Sequence, residues 1–294
     1  MIDKRDLLRW AGIPVDGLVG HPDLKIPLRL CSDGAEMGRL MARELAEAVR
    51  RAAEAGAEFR VIVPCGPRVW YPLFADIVNS EQISLEHVSV FHMDETLDWE
   101  GRLLPHAHPY SFRGFMEEQF YEPVERPLRV PDRQRHWLEP GNVTEVAAML
   151  AEAPAHLAYG GWGQDGHVAY NQARRNPYSP VSLDELRSSS ARVQENNPDT
   201  VLALAHRELG GAYQFVPPMS VTLGMREILG AASVRLFSDT GAWKQTALRV
   251  ALFSEPTTEY PMTLLQEHGD VLLTATRETA THPIALHPEW DFGV

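Results

Sequence analysis

The stretch "AHLAYGGWGQDGHVAYNQ", residues 155–172, decides how this sequence is interpreted. An apolar run typical of a buried strand leads into glycines with the spacing G-x-G-x-x-G over residues 161–166. Such a loop either lets a phosphate group approach the backbone or leaves room for neighbouring side chains. The question is whether it holds a cofactor or presents Asp165 and His167.

The loop departs from dinucleotide-binding loops in its composition. Trp162 stands where a backbone that touches pyrophosphate needs small residues, and Pro177 soon interrupts any following helix. Asp184 lies near the right distance for a ribose carboxylate, but in "SLDELRSS", which resembles a helix start. No nucleotide cofactor is therefore predicted. Two alternatives remain: Asp165 orients His167 for catalysis, or both residues are structural.

The composition excludes some classes of function. The chain has 294 residues, of which 44% are hydrophobic and 23% charged, as in folded soluble proteins. Its net charge of −13, without a dense run of Lys and Arg, argues against nucleic acid as a partner. A few local cations can still hold a small anionic substrate.

The cysteines and the N-terminus predict a cytoplasmic protein with no membrane contact. Cys31 and Cys65 form no C-x-x-C pair, so two buried thiols in a reducing compartment are favoured. The first residues lack the apolar core of a signal peptide. No apolar run approaches the roughly 20 residues that span a bilayer.

Apolar runs alternate along the chain with helical patterns, which predicts a single three-layer α/β/α domain with a mostly parallel, Rossmann-like sheet. The domain is expected to cover residues 26–294 after an N-terminal extension of residues 1–25, with residues 121–142 as a surface connection. Predicted strands are 26–32, 59–66, 87–95, 155–161, 233–239 and 270–276; predicted helices are 34–56, 69–80, 217–231 and 241–253. Ligands of such folds collect beyond the carboxyl ends of the strands, which here carry Asp94, the 165–167 loop and the 241–244 turn.

A second group of polar residues lies in "FHMDETLDWEGRLLPHAHPYSFRGFM", residues 91–116. Asp94 follows an apolar strand and is a candidate catalytic carboxylate. His92, His106 and His108 invite a metal interpretation, but no partner carboxylate or cysteine has a recognisable spacing. Surface histidines are favoured, and no metal is predicted.

Several motifs occur together in a fixed order: "MDET…HPYSFRGFM", "GGWGQDGHVAYNQ", "VPPMSVTLGM", "GAWKQTAL" and "PMTLLQEH". In this order they resemble the glucosamine-6-phosphate deaminase/isomerase family, whose superfamily includes 6-phosphogluconolactonases. The resemblance covers roughly residues 26–290. It implies an enzyme that converts an amino sugar phosphate to a ketose phosphate and ammonia.

The resemblance also implies catalytic roles. Asp94 would carry a proton between C1 and C2 of the sugar, a task that suits a carboxylate whose pKa is raised by burial. His167, oriented by Asp165, would open the sugar ring, and Gln172 stands where the family has a glutamate beside this histidine. Neither a metal nor an organic cofactor is needed for this chemistry.

The implied binding residues are Gly66, Glu95, Gly163, Arg207 and Lys244. Lys244 matches the lysine of the family's G-x-x-K, and Arg207 falls where the family has its phosphate arginine. For Arg207 the alternative is an ordinary solvated charge on a helix.

Two departures separate this chain from the family pattern. The phosphate loop after the second strand is replaced by "PCGPRVWYPLF", residues 64–74, in which Gly66 remains and Pro67 has no N–H to offer. Either Arg68 replaces the loop as a phosphate ligand, or the substrate carries no phosphate there. Gln172 keeps the shape of glutamate and loses its charge.

Because fold does not imply function, two alternatives to the deaminase stay open. One is a lactonase of the 6-phosphogluconolactonase type, although Thr96 follows Glu95 where lactonases have D-E-R. The other is a non-catalytic sugar-phosphate-binding protein. The expected partner is a small sugar phosphate, and the resemblance predicts a homo-oligomer.

Overall fold

The computed structural model describes residues 2–173, 176, 178–241 and 243–294. Its strands are β1 (Leu28–Cys31), β2 (Phe59–Val63), β3 (Val88–His92), β4 (Asp94–Leu97), β5 (Arg135–His136), β6 (Leu157–Gly160), β7 (Arg192–Glu195), β8 (Met219–Thr222), β9 (Val234–Ser238) and β10 (Val271–Thr276). Its helices are α1 (Lys4–Ala11), α2 (Gly34–Glu54), α3 (Tyr71–Ser80), α4 (Phe112–Met116), α5 (Val143–Glu152), α6 (Leu183–Arg187), α7 (Pro198–Glu208), α8 (Met225–Leu229), α9 (Gln245–Phe253), α10 (Arg277–Ala280) and α11 (Pro283–Leu286). Pro177, which the sequence predicts to interrupt a helix, lies outside the described residues.

Within those ranges, seven strands form a parallel sheet in the order β1-β10-β9-β6-β2-β3-β5. The six predicted strands are all present, as β1, β2, β3, β6, β9 and β10. Most successive residues of these strands are buried, as expected for strands that are covered on both faces, although single Arg or Ser residues interrupt the apolar runs. The predicted α/β class with a mostly parallel sheet is confirmed.

The core lies in two layers on opposite faces of this sheet. Successive residues of β2 point to opposite sides, so Ile62 packs in one cluster while Val61 and Val63 pack in the other. Helices α2 and α3 cover the face of Val61, and α5, α8 and α9 cover the face of Ile62. This produces the three layers that the sequence predicts.

Local sequence explains where the longest helix begins. Asp33 accepts a hydrogen bond from the Glu36 amide, and the Glu36 carboxylate accepts one from the Ser32 amide, so charged side chains satisfy the free N–H groups. At the other end, Gly56 adopts a φ of +63°, which ends the chain's helical path after α2. The predicted helix 34–56 is therefore nearly matched.

Residues 217–231 were predicted as one helix, and this prediction is wrong for their first half. Residues 219–222 form β8, which pairs antiparallel with β4 and β7 in a small second sheet. Val221 and Thr222 are β-branched and fit a strand, and pairing with distant segments decides their conformation. Only α8 remains helical.

Residues 121–142 are also more than a surface connection. They contribute β5 to the edge of the main sheet, and Val124, Val130 and Leu138 are almost fully buried. The Pro and Arg content of this segment hides its apolar anchors from a composition-based prediction.

The first 25 residues pack against the rest of the protein. Helix α1 contacts α9, Trp10 is 9% exposed and Leu18 is fully buried. The Arg249 guanidinium on α9 donates to the Ile13 carbonyl at 3.0 Å. A domain boundary at residue 25 stays a prediction. None of the described helices combines the length and the apolar character needed to cross a bilayer.

Candidate active site

A cavity of about 230 Å³ opens at the carboxyl ends of four neighbouring strands, β9, β6, β2 and β3. The segment after each of these strands contributes to its wall: residues 64–67, 93–94, 161–164 with 167, and 238–240 with 243–244. Helix α7 closes another side with Thr200, Leu204 and Arg207, which share one helix face at spacings of four and three residues. The topology of the sheet therefore brings together side chains that are far apart in sequence.

The glycine loop makes room for a histidine. At Gly163, an added Cβ would lie 2.1 Å from the Cε1 atom of His167, so only glycine allows the imidazole to lie against the backbone. Gly166 has a φ of +70°, which turns the chain between Asp165 and His167. These two glycines are explained by the placement of the imidazole, without a nucleotide.

Asp165 and His167 form a closely coupled pair. The Nδ1 atom of His167 lies 2.7 Å from Oδ1 of Asp165, and Asp165 is 1% exposed. Burial raises the pKa of Asp165, but the His167 ring and the hydrogen bonds from residues 167 and 173 outweigh burial and lower it to about 2. The aspartate is therefore ionised and holds Nδ1. A proton exchanged with a ligand in the cavity must pass through Nε2.

Asp94 lies in the cavity wall directly after β3. Removal from water, and then the charge of the neighbouring Glu95, raise the pKa of Asp94 to about 8. A carboxyl group with this pKa can take and return protons near neutral pH. The backbone of Asp94 pairs with Thr222 in the small sheet, which fixes the position of the side chain.

The carboxylate of Glu95, which the resemblance implies as a binding residue, is bound by backbone amides. Its carboxylate accepts hydrogen bonds from the amides of Thr96 at 2.9 Å, Phe112 at 2.8 Å and Arg113 at 2.6 Å. It does not line the cavity. This geometry favours a structural role, in which Glu95 caps the beginning of α4.

Two cations and an indole ring lie together in the lining of the cavity. The Arg207 guanidinium lies 4.2 Å from the centroid of the Trp243 ring, and Nζ of Lys244 lies 5.1 Å from it. Burial, and then the charge of Arg207, lower the pKa of Lys244 to about 8. Two positive charges held close together in a cavity favour an anionic ligand.

The side chain of Gln172 is also hydrogen-bonded to backbone groups outside the cavity. Its Nε2 donates to the Glu195 carbonyl at 2.9 Å, and its Oε1 accepts from the Asn197 amide at 2.5 Å. The side chain is 2% exposed and does not line the cavity. It joins the glycine loop to the segment between β7 and α7, so this geometry favours a structural role over a catalytic one.

The loop after β2 offers little to an anion. Gly66 and Pro67 line the cavity, and Pro67 has no N–H. The exposed Arg68 guanidinium stacks 4.3 Å from the Phe115 ring centroid and lies outside the cavity lining. In this geometry Arg68 does not replace the family's phosphate loop.

Sequence reasoning missed Gln164, Thr200 and Trp243, which all line the cavity. Trp243 and Gln164 are adjacent in sequence to predicted site residues, and Thr200 precedes Arg207 by seven positions, or two helical turns. These spacings were the signal that could have found them.

The three histidines considered for a metal are dispersed over different contacts. The ring centroids of His92 and Trp137 are stacked 3.7 Å apart. Nδ1 of His106 lies 3.2 Å from Oε2 of Glu117, and Nδ1 of His108 accepts a hydrogen bond from the Tyr110 amide. Among the described residues, no group of three or more His, Cys, Asp or Glu side chains could hold a metal ion.

Solved structures show which class of known proteins shares this fold. A monomeric glucosamine-6-phosphate deaminase superposes with a TM-score of 0.72 at 18% identity, covering 86% of this chain and 98% of that one. The 6-phosphogluconolactonase from Trypanosoma cruzi superposes with a TM-score of 0.61 at 17% identity, covering 90% and 99%. The fold is therefore the α/β fold that these deaminases and lactonases share.

Sequence comparison indicates the branch within this class. The glucosamine-6-phosphate deaminases of Pectobacterium carotovorum subsp. carotovorum (strain PC1) and Yersinia pestis (strain Pestoides F) are each 28% identical over 260 residues, covering 84% of this chain and 88% of theirs. No family model matches the chain. The chain is a divergent relative of the glucosamine-6-phosphate deaminases, which confirms the resemblance seen in its motifs.

Proposed function

We propose that this protein is a sugar-phosphate isomerase/deaminase that converts a 2-amino-2-deoxyaldose phosphate to a ketose phosphate and ammonia. The observation that carries the proposal is the shared cavity of Asp94, His167, Arg207 and Lys244, in which Asp94 has a pKa of about 8. The relatives named glucosamine-6-phosphate deaminase support the same reaction.

The first step assigned to the site is opening of the sugar ring. The imidazole of His167 takes the proton of the anomeric hydroxyl and delivers a proton to the ring oxygen as the C1–O5 bond breaks. Asp165 holds Nδ1 and stabilises the charged imidazole while it carries this proton.

The second step is isomerisation. Ionised Asp94 removes the proton from C2 while a proton of the substrate's ammonium group moves to the C1 carbonyl oxygen, which produces an enolamine. Asp94 then returns its proton to C1, which leaves an iminium group at C2. This iminium group adds water and releases ammonia, leaving the ketose. General acid–base catalysis of this kind contributes about 10²–10⁴-fold to the rate. Arg207 and Lys244 hold the phosphate and place C1 and C2 beside Asp94.

The test is ammonia release from glucosamine 6-phosphate, with acid release from 6-phosphogluconolactone measured in parallel. Ammonia release that falls about 10²–10⁴-fold in Asp94→Asn, with ligand binding retained, supports the proposal. Acid release instead identifies a lactonase. Binding of the sugar phosphate without either product identifies a non-catalytic binding protein, and both outcomes reject the deaminase.

Two predictions accompany this function. The enzyme is expected to form a homo-oligomer, which size-exclusion chromatography with light scattering measures, and to act in the cytoplasm, which fractionation of cells measures. A monomer at the working concentration contradicts the first prediction.

A further inference from the structure

Three polar side-chain atoms in the cavity wall have no hydrogen-bond partner within the described part of the chain. They are Nε2 of Gln164, Oγ1 of Thr200 and Nε1 of Trp243. Each is shielded from solvent, and a buried polar atom without a partner is costly because it has lost its hydrogen bonds to water. Groups left in this condition around a cavity indicate that a ligand supplies their partners.

Trp243 differs from the other two because of its neighbours. Two cations lie over the face of its ring. Cζ of Arg207 is 4.2 Å and Nζ of Lys244 is 5.1 Å from the ring centroid. The indole Nε1–H is a donor only, so it can bind an oxygen atom but no cation. An acceptor that binds this N–H would therefore lie close to two positive charges.

The two residues at positions 67 and 68, after β2, do not supply another donor to the cavity. Pro67 lines the cavity after β2 and has no N–H, and the Arg68 guanidinium is stacked on Phe115 outside the cavity lining. A phosphate monoester has three terminal oxygens that accept hydrogen bonds. Arg207 and Lys244 provide two donor groups, and the indole is an uncharged third.

We propose that the Nε1–H of Trp243 donates a hydrogen bond to the phosphate of the substrate, beside Arg207 and Lys244. Trp243 is thus a specificity-determining residue that recognises the anionic end of the ligand. The indole ring also holds the two cations in place through their contacts with its face. This inference rests on the proposed function for the identity of the ligand as a sugar phosphate.

The first test replaces Trp243 with Phe, which keeps an aromatic face for the cations and removes the N–H. The Kd for inorganic phosphate and for glucosamine 6-phosphate, measured by calorimetric titration, is expected to rise about tenfold, as for a lost hydrogen bond to a charged group. Affinity for unphosphorylated glucosamine should not change. Trp99→Phe is the matched control, because Trp99 is 75% exposed and lies outside the cavity.

The second test observes ligand binding to the wild-type protein itself and uses the variant only to assign a resonance. The indole N–H resonance of Trp243 is identified by its loss in Trp243→Phe, and the wild-type protein is then titrated with inorganic phosphate. A new hydrogen bond to phosphate shifts this resonance downfield, whereas chloride at equal ionic strength should leave it in place. An aromatic ring with a purely structural role would show no such shift.

The outcomes separate this inference from the proposed function. If ammonia release is absent but phosphate moves the indole resonance, the deaminase is rejected and the anion-binding role stands. If ammonia is released while Trp243→Phe binds phosphate as tightly as wild type, the inference is overturned and the enzyme stands. A wild-type protein that binds neither phosphate nor glucosamine 6-phosphate also overturns the inference.

Discussion

At the scale of single residues, burial shifts the pKa values of two site groups toward each other. Burial disfavours the charged form of any group, so it raises the pKa of the Asp94 carboxyl and lowers that of the Lys244 ammonium, each to about 8. The proposed base is active when it is ionised, and the proposed phosphate ligand is active when it is protonated. Both conditions are met together only in a narrow range of pH.

The first prediction is a narrow bell-shaped pH profile of kcat/KM centred near 8. Asp94 ionises as the pH rises through about 8, which increases activity, and Lys244 loses its proton over the same range, which decreases it. Initial rates at low substrate concentration over pH 6–10 measure this profile.

Lys244→Arg is the control for the alkaline side of that profile. Arginine stays charged throughout the range, so the alkaline decline should be removed while the acidic rise is unchanged. An identical decline in this variant would show that Lys244 does not cause it.

The second prediction concerns Gln172→Glu. Glutamate can accept from the Asn197 amide but cannot donate to the Glu195 carbonyl, and the two oxygens would repel each other. We expect the free energy of unfolding to fall by about 1–3 kcal/mol, with no gain in turnover. Urea unfolding and ammonia release measure the two effects. Gln214→Glu is the matched control on an exposed residue, and faster turnover by Gln172→Glu would instead restore a catalytic role.

At the scale of elements, the start of α4 depends on one carboxylate. Glu95 lies in β4, and its carboxylate accepts hydrogen bonds from three backbone N–H groups, one of Thr96 and two of residues 112–113. It therefore links the strand that carries Asp94 to the helix beside the cavity. The remaining amide of that first turn, Gly114, is bound by the Ser111 hydroxyl.

The third prediction is that Glu95→Gln destabilises the protein by about 1–2 kcal/mol, a usual effect of a lost helix cap. One amide N–H of glutamine would face a backbone N–H, so at least one hydrogen bond is lost. The free energy of unfolding should fall while KM stays close to the wild-type value, because Glu95 does not line the cavity. Thermal unfolding and Michaelis–Menten kinetics are compared with Ser111→Ala, which removes the second cap. A large rise in KM at wild-type stability would return Glu95 to the binding residues.

At the scale of the whole molecule, the N-terminal segment completes the core. Trp10 and Leu18 pack in the same cluster as α9, the helix that begins directly after Lys244. The Arg249 guanidinium bridges the carbonyls of Ile13 and Ala280, at 3.0 and 2.8 Å. The segment thus packs against the helix that follows two cavity residues, Trp243 and Lys244.

The fourth prediction is that Trp10→Ala costs about 3–5 kcal/mol of unfolding free energy, as for other large aromatic side chains removed from a core. Differential scanning calorimetry should show a melting temperature lower by several degrees. Trp290→Ala is the matched control, since Trp290 is 47% exposed, and equal stabilities of the two variants would contradict the packing argument.

The sequence by itself determined the class of fold, six of the seven strands of the main sheet and the order of the site motifs. Continuous β-branched and apolar runs identify strands that are buried on both faces, and parallel strands place Asp94, His167 and Lys244 at one edge. These features depend on local composition and on a general rule of topology, so no coordinates are needed to predict them.

Only the tertiary structure decided the pairing of β8 and the hydrogen bonds of the Glu95 and Gln172 side chains. It also decided which further residues line the cavity, namely Gln164, Thr200 and Trp243. Residues 219–222 become a strand because β4 and β7 pair with them, and Gln172 is used by backbone groups more than 20 positions away. Sequence also does not show that polar side-chain atoms of Gln164, Thr200 and Trp243 have no hydrogen-bond partner among the described residues. A hydrogen bond between two segments that are far apart in sequence depends on the position of both segments in the fold, and the local sequence of either segment does not determine that position.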